Sequence, residues 1–278
     1  MIPISPALSR QFDTLVASGR LGHGYILHGP PKGFPAQAAL YLALAALCEQ
    51  TPPCQTCAIC RQVLAHDHPD IRVLAADTTP VDTIRQMVRD IQLGARIGHR
   101  LVVCILHADQ MTPQAANAFL KTLEEPPKGV TLILATHTLA QLLPTIRSRC
   151  TSIACPSVPE ADQRAWLDKT GHTYTGPISD SLISYVDKTG TFPQHIIPLS
   201  TLAQYTATER LSLAETLAKD KAIAKIAMHQ WLEESVQTAQ HTGDMRPSTL
   251  LISHIKNSHY TLNTRLQMEA LVFALQTL

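Results

Sequence analysis

The continuous apolar run Leu101-Val102-Val103-Cys104-Ile105-Leu106, followed by a second buried strand expected over Val130 to Ala135, constrains this chain more than any other feature. A strand with one wet face alternates apolar and polar residues. A strand with no polar position must be covered on both faces, as in a parallel sheet flanked by helices. Between them, Thr112 precedes Pro113 at a first helical position, and the helix predicted there runs to Glu124, where Pro126-Pro127 stops it. The same alternation is expected upstream. A helix over 7–18 carries Leu8, Phe12, Leu15 and Val16 at helical spacing. Strands follow at Tyr25–Leu27 and Ile71–Leu74, and helices at Ala36–Cys48 and from Asp82, a candidate N-cap, to about Gly94. Strand and helix in this order specify right-handed crossovers and a doubly wound α/β sheet.

At 278 residues, with 45% of them apolar, the chain is long enough for two or three domains. Pro156 and Pro159 mark a linker, and helical periodicity dominates beyond it, interrupted near Gly190 and Pro193. The 23 basic and 22 acidic side chains nearly cancel, giving no whole-chain case for nucleic acid or an anionic membrane. The longest apolar run, near Tyr41 to Cys48, is too short for a bilayer, and Met1–Ser5 lacks a signal peptide's regions. A cytoplasmic protein is therefore expected. In that compartment seven cysteines argue for a metal site over disulfides.

The segment Tyr25 to Ala36 ends a strand and opens a helix, where a phosphate-binding G-x-x-x-x-G-K-[ST] loop belongs. Gly29 is its first glycine. Counting onward, Phe34 stands for the second glycine, Pro35 for the lysine and Ala36 for the magnesium-binding hydroxyl, with Lys32 and Gly33 in between. The 101–106 strand is where a working P-loop ATPase carries a metal-binding carboxylate and a water-polarising glutamate. Leu106 and His107 stand there, followed by Ala108-Asp109. His107 is expected to cap or pack at the strand end. Both halves of a nucleotide site have lost their chemistry together, so no ATP is expected in this chain's own site. The alternative is an ATPase that uses Lys32 in an unorthodox loop.

Cys54-x-x-Cys57-x-x-Cys60 follows Cys48 after five residues. Interlocked C-x-x-C steps turn sulfurs toward one centre, and zinc takes four such ligands in a closed structural site. His66 and His68 rival Cys48 as fourth ligand, and buried free thiols are the alternative to a metal. A stripe of Arg85, Arg89, Arg96 and Arg100 falls on one side of an ideal helix, unless Gly94 and Gly98 break it first. Trp166, Trp231 and the tyrosines form no stacking array and are expected in the core. Glu124 and Glu125 stand at a helix C-terminus, where the dipole disfavours anions, which points to an interface or to solvated surface.

Thr112 to Pro127, with Ala118-Phe119-Leu120-Lys121-Thr122-Leu123-Glu124-Glu125 at its centre, resembles a signature of bacterial clamp loaders. So does Leu143-Pro144-Thr145-Ile146-Arg147-Ser148-Arg149-Cys150. Arg20 to Tyr25, His68-Pro69-Asp70, Val81 to Arg85 and Leu262 to Leu271 strengthen the likeness to the delta-prime type of DNA polymerase III subunit. Two features depart from that pattern: the Cys48-to-Cys54 spacing is short, and so is the C-terminal region. The resemblance implies a AAA+ module with an inserted zinc element (1–157, zinc element 48–60), a helical lid (158–205) and a helical collar (206–278). It implies a non-catalytic member of a ring with gamma/tau-type ATPase subunits and a delta subunit. That ring places a sliding clamp on primed DNA during replication. It implies that Arg149, flanked by the small Ser148 and Cys150, reaches a neighbour's nucleotide, with Arg147 positioning the loop. Thr136 matches a polar γ-phosphate sensor and here is expected to satisfy backbone groups.

Overall fold

The computed structural model describes residues 4–75, 81–169, 178, 182–183, 185–186, 193, 195–257 and 264–275. Two compact units divide at Gln163 and Arg164.

In the first unit, five strands form one wholly parallel sheet: β1 (Gly24–His28), β2 (Ile71–Ala75), β3 (Leu101–Leu106), β4 (Val130–Thr136) and β5 (Thr151–Ala154). Their order across the sheet is β2-β3-β4-β1-β5. Helices cover both faces: α1 (Pro6–Ala17), α2 (Pro35–Leu47) and α3 (Ala58–Leu64) on one, α4 (Val81–Ile91), α5 (Pro113–Glu124) and the short α6 (Pro144–Arg147) on the other. The apolar runs explain themselves here. Leu101, Val103 and Ile105 point into the α4–α5 core, while Val102 and Cys104 point into the α1–α2 core. Val130, Leu132 and Leu134 divide from Ile133 and Ala135 in the same way. Each strand buries both sets, and the polar residues of β4, Thr131 and Thr136, are buried with their hydroxyls hydrogen-bonded.

Local caps set the ends. Thr112 accepts the Ala115 amide at 3.2 Å at the start of α5, and Ser5 accepts that of Leu8 at the start of α1. Asp82 is not the N-cap expected of it. It lies inside α4, in the first turn, and its carboxylate takes Arg85 at 3.1 Å instead. The position before α4 lies outside the described residues. β5, α3 and α6 went unread in the sequence. β5 spans four residues with one buried side chain, too little periodicity to stand out.

The helix α7 (Glu160–Lys169) spans the division between units. The second unit contains α8 (Leu199–Leu202), α9 (Ala207–Ala218), α10 (Lys221–Thr242), α11 (Arg246–Asn257) and α12 (Thr264–Ala274). Thr206 and Glu209 form a capping box at α9, and Gly243 ends α10 in the left-handed region at φ 77°. Trp231 is fully buried and donates its indole N–H to the Ile197 carbonyl at 2.8 Å. Trp166, expected in the core, is only half-buried. The buried Arg210 guanidinium holds the carbonyls of Tyr205, Val272 and Ala203 at 2.9, 3.0 and 3.1 Å. Gly190 and Leu262-Asn263, which the sequence reading used, lie outside the described residues.

Candidate functional site

The loop after β1 sits where a nucleotide's phosphates would be cradled. A cradle needs free backbone N–H groups, and this loop has few. Pro30, Pro31 and Pro35 have none to offer. The Gly29 amide donates to Thr136 O at 3.3 Å, Gly33 to Pro30 O at 2.8 Å and Phe34 to Pro31 O at 2.9 Å. A 3-10 turn over Pro31–Gly33 thus consumes donors that an open loop would present. Phe34 takes a left-handed conformation at φ 50° and buries its ring completely. Gly29 and Gly33 have a packing role as well. A Cβ on either would meet the Cys155 carbonyl oxygen, at 2.2 and 2.3 Å.

The strand ends facing this loop are engaged too. His107 is buried in the left-handed region at φ 52°, its ring 5.8 Å from that of His137. It packs at the strand end, and Leu106 is half-buried beside it. Thr136 donates its hydroxyl to Asp109 Oδ1 at 2.8 Å and accepts the Thr138 amide at 3.1 Å. The sensor-like hydroxyl therefore binds a side chain as well as backbone, which the sequence did not reveal.

Arg149 follows α6, in the turn that enters β5. Its Nη1 donates to Thr145 O at 2.8 Å and to Ser148 Oγ at 3.2 Å, and its Nη2 to Glu124 Oε1 at 2.6 Å. The two clamp-loader-like segments meet at this ion pair. Ser148 stays exposed. Cys150 turns inward, its sulfur 3.1 Å from where a Gly24 Cβ would stand, and burial pushes its thiol up to about 11. It packs the turn onto β1 rather than thinning an outward edge.

The four cysteines Cys48, Cys54, Cys57 and Cys60 converge, with all four sulfurs within 4.8 Å of one another. The Cys48–Cys54 and Cys54–Cys60 sulfur separations are both 3.9 Å. A tetrahedron with zinc–sulfur bonds of about 2.3 Å has edges of about 3.8 Å, so the group has the size a metal needs. Amides of Gln50, Cys57 and Cys60 point at the sulfurs of Cys48, Cys54 and Cys57 at 3.3–3.4 Å. The backbone amides of Thr56 and Cys57 hold the Cys54 thiol down at about 6, whereas burial pushes that of Cys60 up. His66 and His68 stand outside the group, and His68 instead accepts the Asp70 amide on its Nδ1 at 3.1 Å.

The Arg85–Arg100 stripe does not form. α4 ends at Ile91, and Gly94 turns the chain at φ 71°. Arg100 reaches Thr131 Oγ1 at 2.7 Å, far from the α4 face. The Asp70 carboxylate, fully buried, anchors the intervening loop by accepting the amides of Arg96, Ile97 and Gly98. This explains what the aspartate of His68-Pro69-Asp70 contributes.

Five parallel strands between two helical layers, with a strand–loop–helix turn at β1, define a AAA+ P-loop-type module. The fold matches that of a DNA polymerase III gamma subunit-related protein of Thermotoga maritima over 97% of this chain and 99% of the other. The TM-score is 0.59 at 16% identity, a likeness of fold alone. Residues 4–159, more than half of the chain, match the family described as DNA polymerase III, delta subunit, and the chain belongs to that family. The DNA polymerase III subunit delta' of Escherichia coli is 37% identical over 174 residues, covering 59% of this chain and 52% of its own length. That of Pseudomonas aeruginosa is 34% identical, over 60% of this chain and 53% of its own. The gamma/tau subunit of Mycobacterium bovis is 31% identical over 62% of this chain and 31% of its own. The chain spans about half the length of the delta' relatives it matches. Among the described residues no helix is long and apolar enough to cross a membrane.

Proposed function

We propose that this chain is a non-catalytic clamp-loader subunit of DNA polymerase III. It sits in a ring beside gamma/tau-type ATPase subunits and a delta subunit in the cytoplasm. That ring loads the sliding clamp onto primed DNA, and this subunit lends Arg149 to a neighbour's ATP. The observation that carries the reading is the state of the loop after β1. Proline at three positions and carbonyl-bound amides at three more leave little with which to hold phosphate. The leucine and histidine at the end of β3 offer no carboxylate pair for magnesium and water. A fold that holds no nucleotide of its own still carries a partly exposed arginine on a turn at the edge of the sheet.

Arginine suits that task because its planar fork stays charged and binds two oxygens at once. In this reading Cys48, Cys54, Cys57 and Cys60 hold structural zinc, which closes the segment between α2 and α3. Residues 1–157 serve as the AAA+ module, 158–205 as a lid and 206–278 as a collar for ring assembly.

Reconstitution of the full chain with gamma/tau-type and delta partners tests the proposal. Arg149→Ala should leave assembly intact while ATP turnover at the site it serves falls by about tenfold or more. Unchanged turnover would remove the trans-arginine role. Titration calorimetry of the isolated chain with Mg-ATP should register no binding, and micromolar affinity would favour an active ATPase.

A further inference from the structure

We propose that Glu124 is a positioning residue for Arg149. It parks the guanidinium in the unengaged chain and yields it when a neighbour's nucleotide phosphate arrives. This inference rests on the trans-arginine reading.

Arg149 has five N–H donors, and three are engaged. Two of those bonds run to Thr145 O and Ser148 Oγ, on the same turn as the arginine, and travel with it. The third runs 25 residues away to Glu124, the final residue of α5. Pro126-Pro127 fixes where that helix stops, so the carboxylate is held by a rigid end while the arginine is carried by a turn.

Two features make the contact exchangeable rather than structural. Both side chains are wet, at 33% and 50% exposure for Arg149 and Glu124, and ion pairs of this kind are weak. Glu124 also faces the carbonyl end of its own helix, which disfavours its charge. A nucleotide's polyphosphate outbids one such carboxylate in charge, and the two N–H donors still open on the guanidinium give it a first foothold. The bonds to Thr145 and Ser148 keep the fork oriented through the exchange. Parking thus sets how readily the arginine commits, not how fast chemistry runs once it has.

The test uses the full chain reconstituted with its gamma/tau-type ATPase partner. With Glu124→Gln, the concentration of chain giving half-maximal ATP turnover should fall by about two- to fivefold, the range of an exposed ion pair. The maximal rate should not change. The gain should require nucleotide, shrink as salt is raised, and vanish in the Glu124→Gln/Arg149→Ala double variant. Glu124→Asp should fall between wild type and Glu124→Gln. If Arg149→Ala lowers turnover while Glu124→Gln matches wild type, or lowers the maximal rate, parking is overturned and the arginine role stands. If Arg149→Ala itself has no effect, the arginine role has failed and parking fails with it.

Discussion

Replacing Gly29 by alanine asks whether the loop's first glycine is required for packing. The added Cβ would stand 2.2 Å from the Cys155 carbonyl oxygen, where ordinary contact begins at 3.4 Å. The two backbone segments must part by about 1 Å, which a close-packed interior resists. Cys155 also donates its amide to His28 O at 2.7 Å, closing the β1–β5 edge, and that bond stretches or breaks. Overpacking costs about 1–3 kcal/mol and a lost buried backbone bond about 0.5–1.5 kcal/mol, so the sum is about 2–4 kcal/mol. For a unit of this size that lowers the melting temperature by about 4–15 °C. Far-UV circular dichroism with hydrogen exchange is the appropriate assay. Both tryptophans, Trp166 and Trp231, lie in the second unit, so tryptophan fluorescence does not report on the first. Gly19→Ala supplies the control: its φ is 67° with nothing within 4 Å, so only the left-handed conformation costs, about 1–2 kcal/mol. If Gly29→Ala melts with wild type, or costs no more than Gly19→Ala, the packing account is wrong.

Removing metal should act locally. Purified protein is expected to carry one zinc per chain by elemental analysis, and chelation should speed amide exchange over residues 48–64 while β3 and β4 stay protected; metal-free protein with unchanged exchange would dismiss the site. Acid should release the loop held by Asp70. Burial alone would raise that carboxyl, but the amides of Arg96, Gly98 and Ile97 outweigh it and hold its pKa below the usual range. A depressed carboxyl contributes stability above its unfolded value of about 3.9 and loses it as pH falls through the folded value. Exchange over residues 94–100 should therefore rise below about pH 4. Asp70→Asn should open the same loop already at neutral pH, at a cost of about 2–3 kcal/mol; a loop unmoved by either change would refute the anchor.

How much could be read in the sequence follows the range of the interactions involved. The limits of α5 were readable from Thr112, Pro113 and Pro126, because caps and prolines act within a turn. The cysteine spacing carried its own geometry. Leu106 and His107 in place of carboxylates were visible by counting along a strand whose identity was secure. The arginine stripe misled because α4 stops at Ile91 and Gly94 redirects the chain. Asp82 misled because a helix start is fixed by backbone geometry, and the first turn accepts aspartate as readily as the cap does.

The sequence by itself determined that a parallel sheet lies between two helical layers, that four thiols can share a centre, and that the phosphate loop lacks its usual side chains. Periodicity and short spacings are local and survive without coordinates. Only the tertiary structure decided that Phe34 is buried beneath a turn that uses up its own amides, that Thr136 is bonded to Asp109, and that Arg149 rests on Glu124. The side-chain bonds among these join residues 25 to 27 positions apart, and which groups meet across such distances is set by how strands align and helices stop, information no single segment contains.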